Sequence, residues 1–435
     1  MKQKLSIFLL SVLVSIAAKA QNPIIGDIGI SDGHIRVFND TVFLYCGHDF
    51  SKKDTTWVMK DWRIFSTTDL VHWTQRGVVL PKDNYMDDNS TDCWAGDAAQ
   101  RNGKYYFYFS DNIRSIGVME SDSPAGPFKD ALGKPLVAPM HDPTIFIDND
   151  ENRTPYIVYG SKDGGGYHIA ELNADMISLV EKPRLIIING PEWERAPGWQ
   201  DKNYLFKYQD TYYLSWGNKY ATSKNVYGPY ECKGKVGRGY KLGALAHSCF
   251  FEWKGQFYHM WCYYQDMAYK YRETIITYCH IGDDGLVVTD TDFLDEHFSN
   301  GMGQYNAGWP KIEAEWFYEV SGDIRKRGNK PDGYYLGDIR DGNWVRFANM
   351  TFDEKKNTLV ARMSTEGKSG RLEVRVGSPE GRMLGKVALP EAVTPNSFQE
   401  IACELDQFVG KTDVYFVFKG DKNATMSLDW VKFEN

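Results

Sequence analysis

Asp32 and Asp142 stand in matching surroundings. Asp32 lies in Ser-Asp-Gly-His-Ile-Arg-Val-Phe and Asp142 in His-Asp-Pro-Thr-Ile-Phe-Ile, each where a polar turn runs into an apolar strand. Two carboxyl groups set across an acetal linkage can hydrolyse it, one giving a proton to the leaving oxygen and the other activating water. A third can hold a hydroxyl or tune the acid. Taken singly the signals are modest: an Asp before Gly33 also suits a plain turn, and Pro143 only holds the residue before it extended. Their weight lies in the repetition. Asp97, in Cys-Trp-Ala-Gly-Asp-Ala-Ala, starts another such strand and is expected to line the same space. His247 follows Gly-Ala-Leu-Ala and precedes an apolar run. The same register aims it at the common axis, where a cation or a water could sit.

A repeat supplies the elements that would hold these groups. Five segments run from a polar turn into alternating aromatics: Asp40-Thr-Val-Phe-Leu-Tyr45, Gly103-Lys-Tyr-Tyr-Phe-Tyr108, Thr154-Pro-Tyr-Ile-Val-Tyr159, Asp210-Thr-Tyr-Tyr-Leu-Ser-Trp216 and Gly255-Gln-Phe-Tyr-His-Met-Trp261. They recur at roughly 45–65 residues, the interval of one four-stranded propeller blade. The expectation is an all-β chain, a five-bladed β-propeller over residues 22–297. Residues 298–311, rich in Gly and Asn, read as a linker. Residues 312–435 alternate in short strands such as Leu372-Glu-Val-Arg-Val376 and read as a β-sandwich of the jelly-roll kind. At 435 residues, two domains are the natural prior.

Composition narrows the partners. The net charge is −8 with no basic block, which argues against a nucleic-acid partner. The 27 Tyr and 13 Trp suit half-buried strands and also stack on sugar faces. Lys2 and Lys4, the apolar run Leu5 to Ile16 and Ala18-Lys19-Ala20 read as a signal peptide over residues 1–20, with export and a mature start at Gln21. No other segment has the length of a membrane span. The seven cysteines fit no disulfide-framework or zinc spacing, and Cys249, Cys262 and Cys279 read as buried thiols. A monomer is expected.

These motifs resemble glycoside hydrolase family 43 over about residues 24–290. Asp32-Gly-His-Ile-Arg-Val-Phe is similar to the family's first-blade segment carrying the general base, although the family's usual Asp-Pro is Asp32-Gly33 here. Phe65-Ser-Thr-Thr-Asp-Leu-Val-His-Trp73 resembles its S-x-D-L-x-x-W hairpin, and Trp94-Ala-Gly-Asp97 its Trp-Ala-Pro-Asp, which makes Trp94 a substrate-binding candidate. Ser121-Asp-Ser-Pro-Ala-Gly-Pro-Phe128 and His141-Asp-Pro-Thr-Ile-Phe146 resemble the segments around the Asp that tunes the acid and orients substrate. Ala246-His247-Ser248 resembles the segment supplying the axial His. The family's acid is usually a Glu before the fourth aromatic strand. This chain has Asp201 in that register, one methylene shorter, with Glu194 and then Glu192 as alternatives on the preceding loop.

The C-terminal block resembles carbohydrate-binding module family 6, through Ile312-Glu-Ala-Glu-Trp316, Gly333-Tyr-Tyr-Leu-Gly337, Gly342-Asn-Trp-Val345 and Leu428-Asp-Trp-Val-Lys-Phe433. That resemblance implies a structural calcium at Glu313, Glu315 and Asp429. Asp338 and Ser427 stand where relatives carry the stacking ring and the amide of the sugar cleft, so weak binding there is expected. Together the resemblances imply an exported, exo-acting, inverting hydrolase that needs no organic cofactor. It would take a terminal sugar from a plant-type polysaccharide, α-L-arabinofuranosyl first. β-Xylosyl, β-galactofuranosyl and β-galactosyl (β-galactosidase or galactanase) units are the alternatives. A carbohydrate-binding propeller with impaired catalysis is the alternative of another class. A fructan-type five-bladed hydrolase lacks its Asn-Asp-Pro-Asn opening here.

Overall fold

A computed structural model describes residues 22–161, 165–194, 200–237, 247–366, 370–389 and 397–435, without the side chains of Glu192 and Glu194. The expected signal peptide and those two acid candidates therefore lie outside what is described. Among the described residues no helix is long and apolar enough to cross a membrane.

Five sheets follow one another along the chain, antiparallel except for Ile188–Asn189, which joins the edge of the fourth in parallel. Blade 1 is built from Ile30–Phe38, Thr41–Asp49, Met59–Thr67 and Thr74–Val79. Blade 2 starts with Cys93–Arg101, blade 3 with His141–Ile147, blade 4 with Asn203–Tyr208 and blade 5 with Ser248–Trp253. The five aromatic repeats are the second strand of each blade. There the alternating rings pack between neighbouring blades: Tyr45 stacks near Phe107, and Trp62 meets both Phe107 and Phe109. The first strands pack side by side around one axis, and Ser248–Trp253 returns to Ile30–Phe38, which closes the ring. The segment before blade 1 fastens this closure. The Asn22 side chain donates to the Ile276 carbonyl and accepts from its N–H, both at 2.9 Å, and the Ile24 N–H donates to the Thr274 carbonyl at 3.0 Å.

A short helix, Thr291–His297, leads out of blade 5, capped by Asp290, whose carboxylate accepts from the Phe293 N–H at 2.9 Å. The second domain is two six-stranded sheets packed face to face, one centred on Gly410–Gly420 and the other on Thr425–Glu434. One hydrophobic core runs without a break from the propeller into this sandwich.

Candidate active site

Two positions of the first strands carry a feature the sequence does not announce. Asp32 has φ 48° and Asp142 φ 54°, both in the left-handed region. Each sits at a register shift, between Ser31 and His34 in blade 1 and opposite Val158 and Gly160 in blade 3. Such bulges turn a side chain out of the pleat at a cost of order 1–3 kcal/mol. Lys202, just before the first strand of blade 4, repeats the conformation with φ 62°. The effect is to aim Asp32 and Asp142 into one pocket at the mouth of the axis, although they are 5 % and 4 % exposed. Trp94, Asp201, Lys202 and His247 line the same pocket.

The imidazole of His247 lies between the two carboxylates, its Nε2 3.3 Å from Asp142 Oδ2 and 3.6 Å from Asp32 Oδ1. Burial alone would push its pKa down, but Asp32 and Asp142 outweigh burial and hold it above its ordinary value. Burial would likewise raise Asp142. His141, His247 and the Lys202 N–H, which donates to Oδ2 at 3.0 Å, instead hold it well below the usual carboxylate range. Ser110 fixes the backbone by accepting from the Asp142 N–H at 2.8 Å.

Arg272, which sequence reasoning missed, anchors Asp32. Its Nη1 donates to Asp32 Oδ1 at 2.6 Å. Asp49, almost fully buried, holds the guanidinium in turn: Oδ2 accepts from Arg272 Nε at 2.9 Å and from its backbone N–H at 2.8 Å, while Oδ1 accepts from Nη2 at 2.8 Å. The Cys262 thiol lies 3.6 Å from Asp32 Oδ1. Among the described residues, the Arg272, Cys262 and His247 contacts to the Asp32 carboxylate fall on Oδ1.

Asp201 faces the pocket with a side chain 30 % exposed, and its Oδ1 accepts from Lys202 Nζ at 2.6 Å. Its backbone carbonyl accepts from the Tyr167 hydroxyl at 2.9 Å.

Asp97 is placed differently from the expectation. It is fully buried and does not line the pocket. A bulge between Trp94 and Gly96 gives the pocket wall to Trp94 and Ala95 and leaves Asp97 deeper in the axis. Arg36 grips both of its oxygens, Ala98 and Ile145 donate their N–H groups at 2.7 Å, and His34 Nδ1 lies 3.4 Å away. Burial would raise its pKa, but Arg36 and His34 hold it far below the carboxylate range. Asp97 is a strut joining blades 1, 2 and 3.

Of the three carboxylates expected to hold calcium, Glu313 lies within electrostatic reach of both Asp429 and Glu315. Asp429 is taken by Arg362 and Glu313 by Lys311 at 2.5 Å. Glu315 is buried with Oε2 unpartnered, and burial and the Glu313 charge push its pKa well up. Among the described residues no group of three or more His, Cys, Asp or Glu is arranged to hold a metal ion. Asp338, at the expected sugar cleft, is bound by Arg327 at 2.6 Å, and Arg327 also reaches Asp283 of the propeller at 3.1 Å. All seven cysteines are free, and burial pushes the thiols of Cys249 and Cys262 up to about 12.

Comparison with known proteins gives the family. Residues 20–287 match the model of glycosyl hydrolases family 43, and residues 313–435 that of carbohydrate binding module (family 6). The chain is 24 % identical to an arabinoxylan arabinofuranohydrolase of Bacillus subtilis (strain 168), covering 95 % of this chain and 92 % of that protein. It is 27 % identical to xylosidase/arabinosidase 43A of Humicola insolens, over 56 % of this chain and 90 % of that protein. A crystal structure of a Bacillus subtilis family 43 arabinoxylan arabinofuranohydrolase with cellotetraose shares the fold. Its TM-score is 0.55 at 22 % identity, over 96 % of this chain and 99 % of that one. With the matched model covering more than half of the chain and every residue of the pocket, the chain belongs to glycosyl hydrolases family 43 and is a glycoside hydrolase.

Proposed function

We propose that this hydrolase removes single terminal sugars, α-L-arabinofuranosyl before β-xylosyl, from a plant-type polysaccharide with inversion at the anomeric carbon. The observation that carries the reading is the convergence of Asp32, Asp142 and His247 on one pocket that Asp201 also lines. Asp32 Oδ2 takes a proton from the attacking water while Oδ1 stays fixed by Arg272. Asp142, kept ionised by its histidines, accepts from a sugar hydroxyl through Oδ1. Asp201 is the proton donor to the leaving oxygen, with Glu194 and then Glu192 as alternatives. Asp201 Oδ1 accepts from Lys202 Nζ at 2.6 Å, so Lys202 must release it for the carboxyl to reach the leaving oxygen. Family membership and the arabinofuranohydrolase and xylosidase/arabinosidase relatives support the sugar class. Export belongs to the same proposal, on the strength of Lys2, Lys4 and the apolar run that follows.

The test is chromatography of the sugars released from a panel of arabinoxylan, arabinan, xylan and galactan by the wild type and Asp32→Asn. Free arabinose from the wild type and none from the variant is expected. Release of oligosaccharides alone, or an equally active variant, would overturn the reading.

A further inference from the structure

Another cavity lies at the opposite end of the propeller strands from the pocket. Asp32, Asp142 and His247 stand where first strands begin, whereas the turns that pair Tyr208 with Thr211 and Trp253 with Gln256 stand where the first strands of blades 4 and 5 end. A strand of that length spans about 20 Å. The sandwich docks against these turns: the Val320 N–H donates to the Lys254 carbonyl at 3.3 Å, and Lys254 Nζ lies 3.6 Å from Glu319. Between the two domains runs a groove of about 530 Å³, which shares Tyr208, Gln209 and Arg325 with an adjoining recess of about 190 Å³. Two half-buried rings line the groove, Tyr208 and Phe257, 6.4 Å apart. Phe257 is backed by Phe206 at 5.6 Å and Phe250 at 6.1 Å, so packing fixes the ring from behind. Arg325 and Glu252 line the same groove, and both lie within electrostatic reach of the Tyr208 hydroxyl. Desolvation by the walls pushes the Glu252 carboxyl above its ordinary value, and no cation offsets it. Lys254 and Lys326 are engaged elsewhere, by Asp40 at 3.0 Å and by the Cys279 carbonyl at 3.0 Å. A recessed wall of aromatic rings with a few polar groups turned toward it is the common build of a binding site.

We propose that this junction groove is a second saccharide site, remote from the hydrolytic pocket, which holds a neutral sugar chain on Tyr208 and Phe257 while Arg325 and Glu252 bond its hydroxyls. A guanidinium and a carboxyl standing apart offer donors and acceptors along the groove, which suits a hydroxyl-rich neutral chain better than an ion. Flat rings give the sugar faces a surface to stack on. The site contributes no atom to bond cleavage. It keeps the enzyme on the polymer between cuts, and it does so whichever terminal sugar the pocket takes.

The experiment measures retardation of full-length Asp32→Asn in gels containing arabinoxylan, arabinan or galactan, alone and combined with Tyr208→Ala, Tyr208→Phe or Arg325→Ala. The apparent Kd on at least one polymer is expected to rise about tenfold with Tyr208→Ala, to rise with Arg325→Ala and to stay near its starting value with Tyr208→Phe. In the wild-type background Tyr208→Ala should keep its kcat/KM on p-nitrophenyl α-L-arabinofuranoside. Arg325 is exposed, so Arg325→Ala decides the matter if Tyr208→Ala does not fold. Retardation that neither Tyr208→Ala nor Arg325→Ala alters, or no retardation in any gel, would overturn the proposal. A wild type that turns over no aryl glycoside would count against the reading of the pocket, and the gels would still decide the groove.

Discussion

Asp32 works through what holds it. Arg272 and His247 both meet its Oδ1, and Asp49 fixes Arg272 by three hydrogen bonds. Replacing Arg272 by Met leaves Asp49 buried without a counter-charge, so the propeller should lose roughly 3–5 kcal/mol of stability. Adding Asp49→Asn should return part of it, as read by urea unfolding; an equally unstable double variant would contradict the pairing. His247 gives a pH signature. Its folded pKa is raised above 6.5, so its stabilisation is complete below 6.5 and is lost as pH rises through the folded value. Asp142 is the opposite case. Its folded pKa is depressed below 3.8, so its contribution is present above 3.8 and is lost as pH falls through the folded value. The wild type should therefore weaken above about pH 6.5 by a component absent in His247→Gln, and the variant should unfold in acid at a higher pH. Parallel unfolding curves of the two proteins from pH 3 to 9 would contradict this. The acid is separable by leaving group. Asp201→Asn should lose about 100-fold or more on arabinoxylan but far less on an aryl glycoside whose phenol leaves unaided. If Glu194→Gln shows that pattern and Asp201→Asn does not, Glu194 is the donor.

At the scale of elements, backbone shape places these groups. The bulges at Asp32 and Asp142 turn carboxylates out of otherwise regular strands. Gly160 is the tightest point of this arrangement: a Cβ there would lie 1.7 Å from the Gln200 carbonyl oxygen and 3.4 Å from Asp201 Cα. Gly160→Ala should therefore push the Gln200–Asp201 segment aside. A displacement near 1 Å costs about 100-fold in rate, so kcat/KM should fall by that order while circular dichroism stays native. Full activity would show that the segment does not need its present place. The bulges also explain Asp97. Its place at the start of an innermost strand points to the pocket wall, but the shift at Trp94 and Gly96 moves it one level down, where only a charge already paired with Arg36 is tolerable.

Across the whole molecule the two domains share one core. Gln256 Nε2 donates to the carbonyls of Glu315 and Phe317 at 2.9 and 2.8 Å, Trp316 Nε1 donates to Asp290 at 2.6 Å, and Lys326, its pKa pushed down to about 8 by burial, donates to the Cys279 carbonyl at 3.0 Å. The full chain should unfold in a single calorimetric transition, and a chain ending at residue 297 should be insoluble. Two well-separated transitions would contradict the shared core. The blades were legible because aromatic alternation repeats with blade spacing, and each repeat became a second strand. Asp32, Asp142 and His247 were legible because each stands at the start of an innermost strand. Arg272 and Asp49 were not, because 223 positions separate them in the chain and only the closed ring brings them together. Lys202 left a faint signal, a lysine directly before an apolar strand. The resemblance that points to Glu313, Glu315 and Asp429 says nothing of Arg362 and Lys311, which pair with Asp429 and Glu313 here.

The most direct test of the central claim, that Asp32 drives water onto the anomeric carbon from the face opposite the leaving group, is proton NMR of the first-formed sugar from p-nitrophenyl α-L-arabinofuranoside. The β-anomer should appear first and mutarotate to the equilibrium mixture, with no signal from Asp32→Asn. Initial release of the α-anomer, or undiminished turnover by Asp32→Asn, would contradict it.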